Sequence, residues 1–269
     1  MAESSHRLRV TYVGHATLLI EIDGARILTD PNFDARLGPF LPRVAPPGIA
    51  VDELPRLDAM LLTHAHADHL SFASLDLLPQ DVPLYAPPVV ARWLGRRGYA
   101  HVVPLGAGER TTIGGVAVTA APARHVGARY GVDRWRGAAS MYLVEGGEAA
   151  CLFAGDTGLT VDATHLVDRR LRARGRELDL ALLPIGYAAW WKRALFRRGH
   201  LTAADALTLF EQLGARYFVP YHWGTFEHLT AGAFDAIREL RTHLDGHHRQ
   251  DDVRILEPGG TFALGGASG

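Results

Sequence analysis

The hydrophobic and polar positions in the N-terminal third of the chain predict β-structure. Residues 8–13 and 17–22 are apolar or β-branched runs of strand length. Asp23-Gly24 is a typical two-residue hairpin turn before a third run at residues 26–29. Residues 31–48 are rich in Pro and Gly, which disfavours both a helix and a central strand. The chain therefore opens with short strands joined by tight turns.

Strands and helices are predicted to alternate over the rest of the chain. Further strands are expected at residues 58–63, 82–85, 101–104, 116–121, 140–145, 149–154, 178–183, 217–220, 253–256 and 261–264. Helices are expected at residues 71–78, 88–96, 161–174, 203–213 and 231–244. Thr202 and Asp205 have the spacing of a capping box at the start of the fourth of these helices.

This order of elements predicts an α/β fold in one domain. Two sheets covered by outer helices would bury all of the apolar runs. No change in composition indicates a linker, and the chain has 269 residues. We therefore expect residues 1–269 to form a single domain.

Composition and charge exclude several classes of protein. Apolar residues make up 48% and charged residues 21%, which argues against a disordered or fibrous chain. The net charge of −1 provides no general attraction to nucleic acid or to an anionic membrane. The single cysteine, Cys151, cannot form an internal disulfide. With no apolar run of about 18 residues and no apolar segment in residues 1–9, a cytoplasmic protein is predicted.

The chain contains 14 histidines, and several of them cluster directly after a predicted strand. His64 and His66 are two residues apart in extended chain, so their side chains point to the same side. Asp68 and His69 follow within the next turn. Three imidazoles and a carboxylate within six residues suit zinc, and a second neighbouring metal is compatible with them. The alternative is a polar loop that leads into a helix, with Asp68 near the helix N-terminus.

Four more polar residues each follow the end of an apolar strand: Asp30, His125, Asp156 and His222. Strands of one sheet often end at a shared edge, so these side chains are expected to converge. Taken singly, Asp30 and Asp156 also fit ordinary turns, and a loop histidine is usually solvated. Together with the first cluster, the three that follow Asp30 in the chain complete a ligand set for two metals.

The spacing of these residues resembles the metal signature of the metallo-β-lactamase-fold hydrolases. The signature is His64-x-His66-x-Asp68-His69, followed by His125, Asp156 and His222. Shorter motifs resemble the branch that contains N-acyl-phosphatidylethanolamine-hydrolysing phospholipase D. They are Gly14-His15-Ala16-Thr17, Thr29-Asp30-Pro31, Phe153-Ala154-Gly155-Asp156-Thr157-Gly158 and His222-Trp223-Gly224-Thr225-Phe226.

The resemblance implies a four-layer αβ/βα sandwich with two metals at the edge between its sheets. It assigns His64, His66 and His125 to one metal, Asp68, His69 and His222 to the other, and Asp156 to both as a bridge. Nitrogen-rich ligands favour two Zn²⁺, although Mn²⁺ or Fe²⁺ suits the same donors. Cys151 lies five residues before Asp156 in mid-strand, where it is expected to pack rather than to bind metal.

The predicted metals imply a mechanism. Two cations about 3.5–4 Å apart lower the pKa of a shared water towards about 7, which provides a metal-bound hydroxide as nucleophile. Asp68 and His200 are the candidate catalytic residues; His200 precedes a helix N-terminus, where the dipole disfavours imidazolium, so it can pass a proton to the leaving group. Asp30 is a candidate acceptor from a ligating imidazole. The alternative for His200 is a solvent-exposed loop histidine, and the alternative for Asp30 is a simple turn at the end of a strand.

The segment Tyr187–Arg198 interleaves aromatic residues with four basic residues. It is expected to be a substrate lip, and the alternatives are a contact between subunits or plain surface. Arg124, Arg129, Tyr130 and Trp135 follow the strand at 116–121 on a loop that is expected to cover the site.

The favoured function is a metal-dependent phosphodiesterase of the phospholipase D type. The alternatives are a lactonase or another carboxylic-ester or β-lactam hydrolase on the same site, and a metal-binding relative without turnover. The expected partner is a small-molecule or lipid-like substrate. No binding of nucleic acid is expected, and contact with a membrane is expected to be peripheral at most. The sequence leaves open whether the chain forms a homo-oligomer.

Overall fold

A computed structural model describes residues 6–129, 138–227 and 231–265. The strands are β1 His6–Gly14, β2 Thr17–Ile22, β3 Ala25–Thr29, β4 Arg36–Leu37, β5 Leu41–Pro42, β6 Ala59–Leu61, β7 Leu84–Ala86, β8 Val102–Pro104, β9 Arg110–Ile113, β10 Val116–Pro122, β11 Ser140–Glu145, β12 Ala150–Phe153, β13 Leu180–Pro184, β14 Tyr217–Tyr221 and β15 Thr261–Gly265. The α-helices are α1 Phe72–Leu77, α2 Pro88–Arg96, α3 Val161–Arg170, α4 Arg193–Phe196, α5 Ala203–Leu213 and α6 Asp235–Leu244. Short 3₁₀ helices span Val51–Glu53, Arg172–Arg174 and Gln250–Asp252.

The strands form two large mixed sheets. The first sheet has the order β15-β1-β2-β3-β6-β7-β8, and the second has the order β14-β13-β12-β11-β10-β9. Each sheet joins an antiparallel half to a parallel half: β3, β6, β7 and β8 are parallel in the first, and β12, β13 and β14 in the second. β4 and β5 form a separate two-stranded ribbon.

Both faces of the first sheet are buried, and this explains the apolar runs of its strands. Leu18 and Ile20 on β2 belong to the central core that also contains the strands of the second sheet. Leu19, between them, packs on the opposite face in a second core with Met60 of β6 and Val90 of α2. Successive side chains of a strand point to opposite faces, so a strand buried on both sides needs apolar residues at every position.

The second sheet is covered in the same way by helices. α3 packs against β10 and β11, α5 packs against β13, and α6 packs against α5. Phe210 on α5 and Phe218 on β14 are both buried, with ring centroids 5.5 Å apart. The layers therefore run helix, sheet, sheet, helix, which confirms the predicted four-layer αβ/βα arrangement. None of the helices within the described ranges is long and apolar enough to cross a membrane.

Several local predictions are confirmed. Asp23 and Gly24 have φ angles of 47° and 84°, as the predicted hairpin turn between β2 and β3 requires. The Thr202 hydroxyl accepts from the Asp205 backbone amide, and the Asp205 carboxylate accepts from the Thr202 amide, so the capping box is formed. Cys151 is buried in β12, and burial raises the pKa of its thiol to about 12.

One predicted strand is wrong, and one predicted helix starts later than expected. Residues 253–256 form only an isolated bridge between Val253 and Phe218, because Pro258 and Gly259 turn the chain back towards β1 soon afterwards. The last helix begins at Asp235 and not at residue 231, since the Asp235 carboxylate accepts from the Gly232 amide and closes a turn before the helix. The strand β9 was not predicted from its polar sequence.

Candidate metal centre

The predicted site residues lie at one edge of the two sheets. The strands β1, β3 and β6 of the first sheet end at this edge, as do β10, β12 and β14 of the second. The residues that follow these strand ends and face the edge are His15, Asp30, His64, His125, Asp156 and His222. All seven predicted metal ligands are therefore brought together, although they lie up to 158 positions apart in the sequence.

Three imidazoles form the first cluster, which we define as His64, His66 and His125. His64 Nε2 lies 3.0 Å from His66 Nδ1, and His66 Nδ1 lies 3.1 Å from His125 Nε2. A tetrahedral ion with bonds of about 2.0–2.1 Å holds its nitrogen ligands about 3.4 Å apart. The three nitrogens already stand close to that spacing, and an Asp156 oxygen lies within 4.8 Å of each.

The second cluster consists of His15, Asp68, His69 and His222, whose ligand atoms also lie within 4.8 Å of one another. Asp68 Oδ2 lies 3.0 Å from His15 Nε2, 3.6 Å from His222 Nε2 and 3.8 Å from His69 Nε2. This carboxylate oxygen is therefore the centre of the cluster.

Asp156 lies between the two clusters. It belongs with the first cluster by distance, and its Oδ1 is 3.3 Å from His222 Nε2 while its Oδ2 is 3.5 Å from His69 Nε2. The carboxylate is buried, so its contacts are with these side chains and not with bulk solvent. This is the position that a bridging ligand needs.

Unpartnered polar atoms provide the test of whether a metal fits here. Within the described residues, His69 Nε2, Asp156 Oδ1 and His222 Nε2 are buried and have no hydrogen-bond partner. Buried polar atoms are almost always paired, and an unpaired one calls for an explanation such as an ion. These three atoms face one another across the second cluster, and imidazole nitrogen with carboxylate oxygen is a donor set for Zn²⁺, Mn²⁺ or Fe²⁺. The residues fit a metal.

The electrostatics of the first cluster favour neutral imidazoles. Burial holds the pKa of His64 well below its usual value and lowers the pKa of His66. Burial also lowers the pKa of His125 to about 4. A metal binds the neutral form of imidazole, so these side chains stand ready for it near pH 7.

Two carboxylates dominate the electrostatics of the second cluster: Asp68 within it and Asp156 beside it. Burial by itself would raise the pKa of Asp68, yet the neighbouring His69 and His15 hold it well below its usual value. Burial by itself would lower the pKa of His222, but Asp156 and Asp68 outweigh that effect and raise it. Positive charge on His222 is therefore stabilised by these two carboxylates, whereas burial lowers the pKa of the neighbouring His15 to about 3.

Asp30 supports the second cluster from behind, as predicted. Its Oδ2 accepts from His69 Nδ1 at 2.7 Å, which leaves Nε2 of that ring facing Asp68 and Asp156. The Thr63 amide and hydroxyl both donate to the same carboxylate at 2.7 Å. A carboxylate behind a ligand-type histidine fixes the tautomer and orientation of the ring.

His15 was not predicted as a site residue, although its sequence motif was noted. It has a φ of 55°, and its amide donates to Thr225 Oγ1 at 2.6 Å. Its carbonyl accepts from the His222 amide at 2.9 Å, so one residue holds both Asp68 and His222. The signal that would have revealed it is the one used for Asp30: a polar residue directly after an apolar strand.

His200 lies beside both clusters without belonging to either. Its Nε2 is 3.5 Å from Asp156 Oδ2, and its ring meets His125 edge-on at 4.8 Å. Phe196 stacks on its other side at 4.6 Å. Burial lowers the pKa of His200, but 34% of the side chain stays exposed. The proton-transfer role of this histidine, like the catalytic role of Asp68, stays a prediction.

The segment Tyr187–Arg198 divides into two parts. Tyr187 and Phe196 face a cavity that includes His222 in its wall, whereas Trp190 and Trp191 are 87% and 65% exposed. Two of its bases are engaged within the fold, because Arg193 pairs with Glu239 and Arg197 pairs with Asp205. The role of this segment as a substrate lip therefore stays a prediction, and it concerns the aromatic residues of the segment.

The loop after β10 has a structural task at its described residues. The Arg129 guanidinium donates to the carbonyls of Ala65 and Leu70 at 3.0 and 2.8 Å, so it braces the histidine loop from outside. Arg124 donates to the Leu159 carbonyl at 3.0 Å. Tyr130 and Trp135, predicted to cover the site, lie outside the described residues.

Comparison with known proteins gives several relatives that span most of the chain. An uncharacterized protein of Mycobacterium tuberculosis is 32% identical over 82% of this chain and 59% of its own length. N-acyl-phosphatidylethanolamine-hydrolyzing phospholipase D 1 of Caenorhabditis elegans is 30% identical over 83% of this chain and 65% of its own length. A metal-dependent hydrolase of Methanopyrus kandleri is 30% identical over 95% of this chain and 99% of its own length. The chain thus spans about three fifths of the mycobacterial relative.

Among solved structures, isothiocyanate hydrolase from Delia radicum gut bacteria has the same fold. Its TM-score is 0.76 with 21% identity, over 96% of this chain and all of that one. The sequence profile of the Beta-lactamase superfamily domain matches residues 25–223, which include the histidine loop and every predicted metal ligand. With the four-layer sandwich and its edge of histidines and aspartates, this chain belongs to the metallo-β-lactamase superfamily.

Proposed function

We propose that this protein is a dinuclear metal-dependent hydrolase that acts on phosphodiesters in the manner of a phospholipase D. The observation that carries the proposal is the arrangement of the two clusters around Asp156, with three buried ligand atoms that lack a partner. A structural histidine cluster would satisfy these atoms within the protein. Because these three atoms lack a partner within the protein, we infer that they bind cations, and that a substrate binds at those cations.

Each cluster would hold one cation. His64, His66 and His125 would bind the first, Asp68, His69 and His222 would bind the second, and Asp156 would contact both. When bound, two such cations supply Lewis acidity and an activated water. Asp30 and Thr63 keep the His69 ring in place, and Arg129 keeps the histidine loop in place, so that these ligands are oriented before substrate arrives.

His200 is the residue that we propose for proton transfer. It lies next to Asp156 but outside both ligand trios, and part of its ring reaches solvent. Phe196 and His125 hold the ring on two sides, so its Nε2 faces the centre. Burial lowers the pKa of His200, so its Nε2 can first accept the proton that the attacking water releases and then pass it to the oxygen of the leaving group as the scissile bond breaks.

Similarity to the phospholipase D enzymes of worm and yeast, both 30% identical to this chain, supports a phosphodiester substrate. A lactone or another carboxylic ester is the second candidate, and a specific observation favours it. Arg193 and Arg197 are paired with carboxylates of the protein, which leaves fewer bases near the centre to bind a phosphate. The same two clusters would serve either reaction.

The test combines metal analysis with a panel of substrates that differ in the bond to be cleaved, each followed by the appearance of its own hydrolysis product. The panel contains a phosphodiester, a lactone, a carboxylic ester, a thioester and a β-lactam. We expect two metals per chain and the highest kcat/KM on the phosphodiester. The matched controls are Asp156→Asn, which should lose activity, and His165→Ala on the exposed face of α3, which should keep it. Metal-replete protein with two ions and no turnover on any substrate would contradict the proposal.

A further inference from the structure

A small cavity opens beside the second cluster. It has a volume of about 170 Å³, and His222 forms part of its wall. The remaining walls come from the loop after β13, from α4 and from the start of α6. They are Ile185, Gly186, Tyr187, Lys192, Phe196, Ala231, Gly232, Ala233 and Ala236. A group in this cavity would touch the same imidazole that faces Asp68 and Asp156.

Small residues create the space. Ala233 and Ala236 are buried and end in methyl groups where larger side chains would fill the cavity. Gly186 allows the Phe196 ring to form the opposite wall, because a Cβ at this position would lie 2.3 Å from Cζ of that ring. The cavity therefore depends on three residues with little or no side chain and on one aromatic ring.

The volume and lining select an apolar group of limited size. A cavity of about 150 Å³ lined by apolar side chains is large enough to bind benzene. The space at Ala236 and Phe196 is close to this size, so one phenyl ring or a chain of about six carbons would fill it. A long acyl chain would not fit within it.

The charge of the lining selects what is attached to that group. Among the described residues around the cavity, Lys192 is a cation. Asp and Glu do not occur among those lining residues. An anionic centre joined to the apolar group would thus meet the positive charge of Lys192 and lie beside the second cluster, to which His222 belongs.

We infer that the cavity, here named the side pocket, binds a single phenyl-sized group of an anionic substrate whose scissile bond lies at the metal clusters. The inference rests on the proposed function, and it narrows the substrate to small aryl or short-alkyl phosphoesters. Long-chain lipids are excluded as occupants of this pocket.

Binding to the metal-loaded protein tests the side pocket without turnover. Isothermal titration compares methylphosphonate, phenylphosphonate and decylphosphonate, which share one anionic head. We expect phenylphosphonate to bind about 10-fold or more tightly than methylphosphonate, since a filled apolar pocket discriminates by at least that factor. Decylphosphonate should gain no more than the phenyl compound. Equal binding of the methyl and phenyl compounds, or tightest binding of the decyl compound, overturns the inference.

Variants then locate the effect. Ala236→Leu should abolish the preference for phenylphosphonate and leave methylphosphonate binding and metal content unchanged. Ala204→Leu, at an exposed position of α5, is the matched control and should keep the preference. If Ala236→Leu fails to fold, the methyl resonances of Ala233 and Ala236 in the wild type report the site, because a bound phenyl ring shifts them. Unshifted resonances, or a preference that survives Ala236→Leu, contradict the side pocket.

These outcomes separate the two proposals. A phenyl preference in a protein that cleaves no phosphodiester would retain the side pocket and reject the proposed function. Cleavage of phosphodiesters with no dependence on the size of the apolar group would do the opposite.

Discussion

The two clusters at the sheet edge are built in different ways. The first cluster consists of imidazoles only, and its nitrogens lie 3.0–3.1 Å apart without a carboxylate behind them in the described contacts. The second is centred on the Asp68 carboxylate, which contacts His15 of the same cluster, and Asp30 after β3 accepts from His69 and holds that ring in place. Burial keeps the histidines of the first neutral, whereas carboxylates raise the pKa of His69 and His222 in the second despite burial.

This difference shows how one edge can offer two unlike sites. A cluster of neutral imidazoles binds a metal through nitrogen lone pairs and adds no charge of its own. A cluster that contains a carboxylate attracts a cation by its charge. Hydrogen bonds from neighbouring residues are needed to keep its ligand side chains in a fixed orientation. Asp156 connects the two and is therefore expected to matter most.

The largest effect is expected from Asp156→Asn. This change removes the carboxylate that lies near both clusters, so metal content should fall below one ion per chain. Hydrolysis should fall by at least about 10³-fold, on the order expected when the charge-stabilising group at a reacting centre is lost. Metal analysis by mass spectrometry and a kinetic assay measure both. Asp168→Asn on α3 is the control, and full metal content in the Asp156 variant would show that the two clusters are independent.

The next effect separates the clusters from each other. Asp68→Ala and His222→Ala should each reduce the metal content towards one ion per chain, because each removes a member of the second cluster only. His66→Ala should also leave about one ion, held by the other cluster. A chelator titration should give different affinities for the two remaining ions. Wild-type protein that binds at most one metal in excess metal would refute the distinction.

A third change leaves both clusters intact. His200→Ala should keep the full metal content, whereas kcat should fall by roughly 10²–10⁴-fold, the usual contribution of a positioned acid or base. The loss should be smallest on substrates whose leaving group needs no proton, such as activated aryl esters. Loss of metal would make His200 a ligand, and unchanged rates on every substrate would make it a surface residue.

The smallest effect is expected from the brace behind the second cluster. Asp30→Asn keeps the shape of the side chain but removes its charge, so metal affinity should fall by about 10–100-fold at one of the two ions. A competition titration with a chelating dye measures this change, and a thermal melt checks that the fold survives. An equal loss of affinity for both metal ions would mean that Asp30 supports both clusters and not the second cluster alone.

The periodicity and spacing of the sequence already determined much of this protein. Leu18, Leu19 and Ile20 are all buried and pack alternately into the two cores, as expected for an apolar run in a strand that is covered on both faces. The spacing of His64 and His66 determined that their rings share one side of the chain, and the Thr202 capping box determined where α5 begins. Each of these depends on contacts between residues close in the chain.

Only the tertiary structure decided which distant residues complete each cluster. His15 and Asp68 are 53 positions apart, and their contact depends on how β1 and β6 are placed in one sheet. The side pocket likewise depends on the approach of α4 to the start of α6. The strand predicted at residues 253–256 does not form for the same reason. An apolar run becomes a strand only where a neighbouring strand pairs with its backbone over several residues, and here only Val253 pairs, with Phe218. Local pattern therefore determined the parts, and long-range packing decided the site.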